Sequence, residues 1–137
     1  AAVDTPRRAM GHLLGNAVRI APADQTLVLG EGIETMLSVR EAAPSLPVWA
    51  ALSSGHLGAV LLPDGLQRLY IAIDRDPAGQ RAAERLTIRA SEAGIAVRVL
   101  EPRLGDFNDD LTADGPEVLR QYLAKQIGPE DRERLER

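Results

Sequence analysis

An open α/β sheet of about four parallel strands, with helices on both faces, is the fold class this sequence predicts, and three observations predict it. Short runs of aliphatic and β-branched residues alternate along the chain with helical patterns. These runs are apolar without a break, as strands covered on both faces require. No internal repeat or low-complexity tract interrupts the alternation. A strand, helix, strand order of this kind closes into one sheet through crossover helices that lie against its faces.

The elements follow in order. Residues 1–22 carry Arg7 and Arg8, then a strand candidate at 17–20 that Pro22 ends. Residues 26–30 (TLVLG) form a short buried strand. A helix follows with Ile33, Met36, Leu37 and Val39 or Arg40 on successive turns, and it ends before Pro44. The second parallel strand is 48–52 (VWAAL), followed by Ser53 and Ser54 as caps of a short apolar helix reaching Leu62. The third strand is 69–73 (LYIAI). Asp76 and Pro77 open a long helix with Gly79, Ala82, Ala83, Leu86, Ala90 and Ala93 on one stripe, and Gly94 closes it. Residues 96–100 (AVRVL) make the fourth strand. A polar segment, GDFNDDL, precedes a last amphipathic helix with Leu119, Tyr122, Leu123 and Ile127 at helical spacing, capped by Asp114 and stopped by Gly128-Pro129.

Composition narrows the chemistry. In 137 residues, 45% hydrophobic, there is room for an apolar core without disulfides or a structural metal. The absence of cysteine excludes zinc fingers, thiolate nucleophiles and a disulfide scaffold, and His12 and His56 are too few to build a metal site. Any metal must therefore be held by oxygen. Sixteen basic against 20 acidic side chains give a formal charge of -4, which offers nucleic acid no global attraction. With apolar runs far shorter than the roughly 20 residues of a membrane span, we expect a cytoplasmic protein with no membrane partner. The opening Ala-Ala-Val and the closing charged run fit a piece of a longer protein.

In a doubly wound sheet the ligand site lies at the carboxyl ends of the strands, so the acidic residues there carry the weight. Glu31 follows the first parallel strand in GEGIET, Asp74 and Asp76 follow the third in IAIDRDPAG, and Asp106, Asp109 and Asp110 follow the fourth. Side chains two apart in extended chain share a direction, so Asp74 and Asp76 can face one ion if strand geometry continues through Arg75. Converging carboxylates repel each other, and a divalent cation relieves them. An oxygen-only set favours Mg²⁺ or Mn²⁺. The glycines on either side of Glu31 admit a phosphate or a second backbone.

Blander roles stand beside these. Asp76 before Pro77 is an ordinary helix cap, a role compatible with holding an ion. Glu31 and Glu34 can act simply on a helix dipole. Asp109 and Asp110 read as solvated loop or cap residues, His56 as a surface or cap-adjacent residue, and Trp49 and Tyr70 as core. A dinucleotide site beginning at Gly30 and Gly32 lacks its third glycine, Thr35 standing there. A phosphatase with Asp-x-Asp would carry that pair after the first strand of its core and follow it with Thr or Val, whereas here it follows the third and precedes Pro77-Ala78.

The segments LVLGEGIET and IAIDRDPAGQRAAERL resemble the two motifs of the Toprim domain, shared by bacterial-type primases, type IA and type II topoisomerases and certain nucleases. The resemblance covers about residues 26–111. It is greatest for primase-like Toprim proteins of plasmids and phages, where phrases similar to MLG..GNAVRI, GEGIETMLS, WAALSSG, DRDPAG and GDFNDDL occur in this order. It implies a Toprim-like sheet, with residues 1–25 as the tail of a preceding primase-core region, 26–128 as the Toprim domain and 129–137 as a charged tail. It further implies that Glu31 is the acid/base and a metal ligand, that Asp74 and Asp76 are the catalytic metal-binding pair, and that Asp106 belongs with Asp109 to a further acidic patch that can add a ligand. Glu34 stands where many members carry aspartate.

The implied activity is Mg²⁺-dependent nucleotidyl transfer, that is, primer synthesis on a DNA template from nucleoside triphosphates, with a helicase domain in the same or another chain as partner. Arg75, Arg81, Arg7 and Arg8 are the candidate phosphate contacts. Two alternatives remain open: a Toprim-type nuclease using the same carboxylates, and a silent module that docks a replication partner. A topoisomerase needs a transesterifying tyrosine, and Tyr70 and Tyr122 both fall at core positions.

Overall fold

In a computed structural model, the structure describes residues 17–136. Five strands form one sheet: β1 (Val18–Arg19), β2 (Thr26–Gly30), β3 (Val48–Ala50), β4 (Arg68–Ala72) and β5 (Ala96–Leu100), in the spatial order β1-β3-β2-β4-β5. The pairs β2/β3, β2/β4 and β4/β5 are parallel. The candidate strand at 17–20 is also real, but it adds an antiparallel edge, with Val18 opposite Ala50 and Arg19 opposite Trp49. The β2/β4 register is continuous from Thr26 opposite Arg68 to Gly30 opposite Ala72, so the two strands end level with each other.

Among the described residues the helices are α1 (Ile33–Ala42), α2 (Ser54–Ala59), α3 (Pro77–Glu92), α4 (Phe107–Asp114), α5 (Pro116–Ala124) and α6 (Pro129–Arg132), followed by a 3₁₀ turn at Glu133–Glu136. They cover both faces, because alternate strand residues point to opposite sides. Leu27, Leu29, Leu69 and Ile71 pack with Leu57 of α2 and with Ala82, Leu86 and Ala90 of α3. Val28, Val48, Tyr70 and Leu100 pack on the other side with Met36 and Val39 of α1, Phe107 of α4 and Leu119 and Leu123 of α5.

Chain order decides where the cleft falls. β2 leads through α1 to β3 on one side of it, and β3 leads through α2 to β4 on the other side of β2. The direction of winding therefore reverses between β2 and β4, which is the switch point at which α/β sheets open a crevice. Gly30 lets α1 pack close to that point: a Cβ there would lie 2.3 Å from Met36 Sδ and 3.0 Å from the Ala72 carbonyl oxygen. At Gly32 a Cβ would meet, among the described residues, only Thr35 Oγ1, at 3.7 Å.

Four sequence expectations change. The polar segment GDFNDDL opens a helix of its own rather than only preceding one: Asp106 accepts a hydrogen bond from the Asp109 N–H at 2.7 Å and begins α4. Asp114 therefore ends a helix, and Gly115 (φ +85°) stands at the start of α5 ahead of Pro116. Asp110 is not solvated but buried, because its carboxylate accepts the N–H groups of Arg103 and Leu104, each at 2.7 Å. The helix after β3 stops at Ala59, short of Leu62. Trp49 and Tyr70 are core, as their strand positions predict.

Candidate metal centre

Glu31 is the first residue past β2, and Asp74 lies two residues past the end of β4, at the level ends of the two paired strands. Strand alternation does not continue through Arg75. The Asp76 N–H donates to the Asp74 carbonyl at 2.9 Å, closing a three-residue turn. This turn brings the Asp76 carboxylate back to the cleft, where its Oδ1 also accepts the Gly79 N–H at 2.6 Å and caps α3. Capping and cleft-facing roles thus coexist in one side chain. One carboxylate oxygen each from Glu31, Asp74 and Asp76 lies within 4.8 Å of the others.

Electrostatics show how uncomfortable this cluster is without a counter-ion. Burial pushes the Asp74 carboxyl up to about 6, and the charges of Glu31, Asp106, Asp76 and Asp109 add to the effect. Burial also raises Glu31, helped by Asp76, while a hydrogen bond from the Ser54 backbone N–H works the other way. Asp74 Oδ1 is buried and has no hydrogen-bond partner among the described residues. An orphan acceptor aimed among like charges is costly unless a cation completes it. The donor set is all oxygen and carries up to three negative charges, which suits a hard divalent ion of the Mg²⁺ type.

Other predicted residues take supporting places. Asp106 stands outside the group of three and caps α4, though its charge still acts on Asp74. Arg75 holds the loop after β5: its backbone N–H donates to the Gly105 carbonyl at 2.9 Å, and its guanidinium donates to the carbonyls of Pro102 and Leu104. Arg81 is exposed on α3. Arg7 and Arg8 lie outside the described residues.

Sequence reasoning missed two groups here. Asp110 grips the same loop through the Arg103 and Leu104 N–H groups, and the Ser54 amide favours the charged form of Glu31. The first was concealed because a satisfied buried carboxylate has the same letter as a solvated one. The second belongs to the backbone, which leaves no mark in side-chain identity.

The comparisons with known proteins bear on the family and the fold. The sequence profile of the Toprim domain matches residues 26–117. Over 114 residues the chain is 32% identical to the protein of Methylorubrum populi named ribosomal RNA small subunit methyltransferase H, a match over 83% of this chain and 31% of that one. That name describes a whole protein of which this chain spans under a third.

Three solved structures share the fold. The zinc-binding and RNA polymerase domains of the Aquifex aeolicus primase give a TM-score of 0.56 at 22% identity, over 87% of this chain and 28% of that one. The primase fragment of the bacteriophage T7 primase-helicase protein gives 0.59 at 19%, over 80% and 46%. The T7 lagging-strand polymerase assembly, in which primase domains of two gp4 subunits bind an RNA/DNA hybrid and dTTP, gives 0.52 at 24%, over 72% and 53%. With a profile match that runs from the first residue of β2 into α5 and takes in both acidic strand ends, the chain belongs to the Toprim domain family.

Proposed function

We propose that this chain is the Toprim catalytic portion of a DNA primase-like protein, transferring nucleotidyl groups from nucleoside triphosphates to the 3′-hydroxyl of a growing primer paired with a DNA template, pyrophosphate leaving, with the help of Mg²⁺ or Mn²⁺. The observation that carries the reading is the convergence of Glu31, Asp74 and Asp76 at the switch point around an orphan buried oxygen of Asp74. Asp74 and Asp76 would hold the cation, with Glu31 either completing its ligands or taking the proton of the attacking hydroxyl. A bound divalent ion supplies neutralisation of phosphate charge and a lowered pKa at the attacking hydroxyl.

The remaining work falls to the chain's own groups. The Ser54 N–H favours the charged form of the Glu31 carboxylate. Arg75 and Asp110 hold the loop that brings Asp106 alongside. Arg81, exposed on α3, is the free-standing candidate for a substrate phosphate among the described residues, with Arg7 and Arg8 as further candidates. Nucleoside triphosphates, a DNA template and a helicase domain are the partners, in the cytoplasm. Because the chain spans 28–53% of the primase structures it resembles, template-holding surfaces would belong to the rest of the protein, and the isolated domain is expected to bind the ion with little turnover.

The test is calorimetric titration of Mn²⁺ into the wild type, Glu31→Gln and Asp74→Asn. Loss of roughly tenfold or more in affinity in both variants, about 1.4 kcal/mol each, is expected, and unchanged affinity in both removes the site. With the full-length protein, primer synthesis on single-stranded DNA separates this reading from a nuclease, which would nick duplex DNA with Mn²⁺. No activity with any metal, together with partner binding that survives Glu31→Gln, would identify a docking module.

A further inference from the structure

Along α3, arginine recurs every fourth residue, at Arg81, Arg85 and Arg89. The three share one flank of the helix, about 6 Å apart along its axis. That flank faces α2. The Arg89 guanidinium donates to the carbonyls of Gly58 and Val60, both at 2.7 Å, and ties the end of α2 to α3. Arg85 lies against buried Gly58, where a Cβ would stand 2.9 Å from Arg85 Nε, 3.1 Å from Nη2 and 3.4 Å from Cζ. The glycine thus makes room for a guanidinium seated by shape alone. Arg81 and Arg85 are exposed, and among the described residues neither has a hydrogen bond or an ion pair.

Unpaired arginines stand out in a chain where 20 acidic side chains outnumber 16 basic ones. The acids of α3 do not answer them. Glu84 takes the other flank, where it lines a groove with Ile73 and Val99, and Glu92 is the last residue of the helix, beyond Arg89. The place of the seam gives it a use. Helices α2 and α3 begin at Ser54 and Pro77, soon after β3 and β4 end, so the seam between them opens at the strand ends where Glu31, Asp74 and Asp76 meet. Counted from Asp76, Arg81 and Arg85 stand about 7.5 and 13.5 Å along the axis of α3.

We infer that Arg81 and Arg85 form a phosphate track along the α2/α3 seam, which grips the backbone of a nucleic-acid strand leaving the metal centre. This rests on reading the three carboxylates as the centre of nucleotidyl transfer. One turn of helix is close to the separation of consecutive phosphates in an extended strand, so two arginines meet two phosphates. Each guanidinium offers a phosphate paired donors. The second arginine favours a strand over the triphosphate of a single nucleotide, whose outer phosphates lie closer to the ion than Arg85 does. Contacts of this kind hold and orient a strand without reading its sequence.

The experiment follows a fluorescent single-stranded oligothymidylate by anisotropy in chelator, over a range of salt, with the wild type, Arg81→Gln, Arg85→Gln and the double variant. Each single variant should weaken binding roughly eightfold at about 50 mM salt and lower the slope of log affinity against log salt by about 0.7, the release of one phosphate's counterion. The double variant should lose about sixtyfold, with a slope smaller by about 1.4. Arg85→Lys keeps the charge and should stay within about threefold of the wild type. Lys125→Gln removes the same charge from an exposed position at the end of α5 and should change affinity by less than about twofold.

A wild type that does not bind the oligonucleotide overturns the inference, as do glutamine variants that bind no worse than Lys125→Gln or keep the full salt slope. Inorganic tripolyphosphate separates the two sources of phosphate. If the arginine variants lose affinity for tripolyphosphate and keep it for the oligonucleotide, the seam holds a nucleotide's triphosphate and the strand track is overturned. If Arg85→Gln does not fold, Arg81→Gln still decides, since wild-type binding by that variant overturns the track. Strand binding is read in chelator and so stands apart from the cation site. Should Asp74→Asn bind Mn²⁺ like the wild type, the metal centre fails, while the arginine variants still report on the strand.

Discussion

At the scale of a single residue, Asp74 ties the chemistry to stability. Its carboxyl is raised to about 6 in the fold, above the ordinary carboxylate value near 3.9. A raised acid contributes stability that is fully present below the unfolded value and is lost as pH rises through the folded one. The metal-free protein should therefore lose stability between about pH 4 and pH 6, and divalent cation should restore it above pH 6. Asp74→Asn removes the charge while keeping the shape. We expect it to melt a few degrees higher than wild type at pH 8 in chelator, a shift of the size roughly 1 kcal/mol produces. It should show no rise with Mg²⁺, and the advantage should vanish at pH 4. Melting curves at the two pH values check this, and an Asp74→Asn variant less stable than wild type at pH 8 in chelator would contradict the electrostatic account.

At the scale of the element, α3 and α4 show what was legible and what was not. Asp76-Pro77 was readable as a helix start because a cap and a proline at the first position are local chemistry. The way Asp76 also reaches the cleft was not, because it depends on the turn closed by its N–H on the Asp74 carbonyl. The two roles can be separated by two substitutions that both remove the charge. Asp76→Asn can still accept the Gly79 N–H, whereas Asp76→Ala cannot, so the alanine variant should be less stable than the asparagine variant by about 1 kcal/mol. Both should lose Mn²⁺ affinity alike. Equal thermal stability of the two variants would show that the cap contributes nothing. Helix α4 escaped the sequence reading because its buried face holds Phe107 and Asp110, and a carboxylate satisfied by two backbone N–H groups breaks the apolar period that marks a helix. The four parallel strands were legible because their burial on both faces needs only an unbroken apolar run. The two-residue β1 carries too little pattern to reveal its direction.

At the scale of the whole molecule, the charged run after Gly128 pins the sheet from the end opposite the cleft. Asp131 and Leu135 of this segment are buried. The Asp131 carboxylate accepts Arg68 Nε at 2.8 Å, the Tyr70 hydroxyl at 2.7 Å and the Thr26 hydroxyl at 2.7 Å. Thr26 and Arg68 begin β2 and β4, the two strands whose far ends lead to Glu31 and Asp74. Burial alone would raise the Asp131 carboxyl, but the hydrogen bonds from Arg68, Tyr70 and Thr26 outweigh it and hold the group below the usual range. Burial and the Asp131 hydrogen bond push the Tyr70 hydroxyl up to about 12. A depressed acid contributes stability that is present above its unfolded value and lost as pH falls through the folded one, whereas the raised tyrosine keeps its contribution below about pH 10 and loses it toward pH 12. Asp131→Asn leaves the Arg68 guanidinium without its countercharge, so a loss of roughly 2–4 kcal/mol is expected at pH 7. The gap from wild type should narrow as pH falls below about 4. Five-residue strands put about 16 Å between this network and the carboxylate cluster, so Mn²⁺ affinity of the folded variant should match wild type. Denaturant unfolding at pH 7 and pH 3 with parallel metal titration tests both halves. A variant as stable as wild type, or one folded but deficient in metal, would mean that this end of the sheet does something other than hold the fold together.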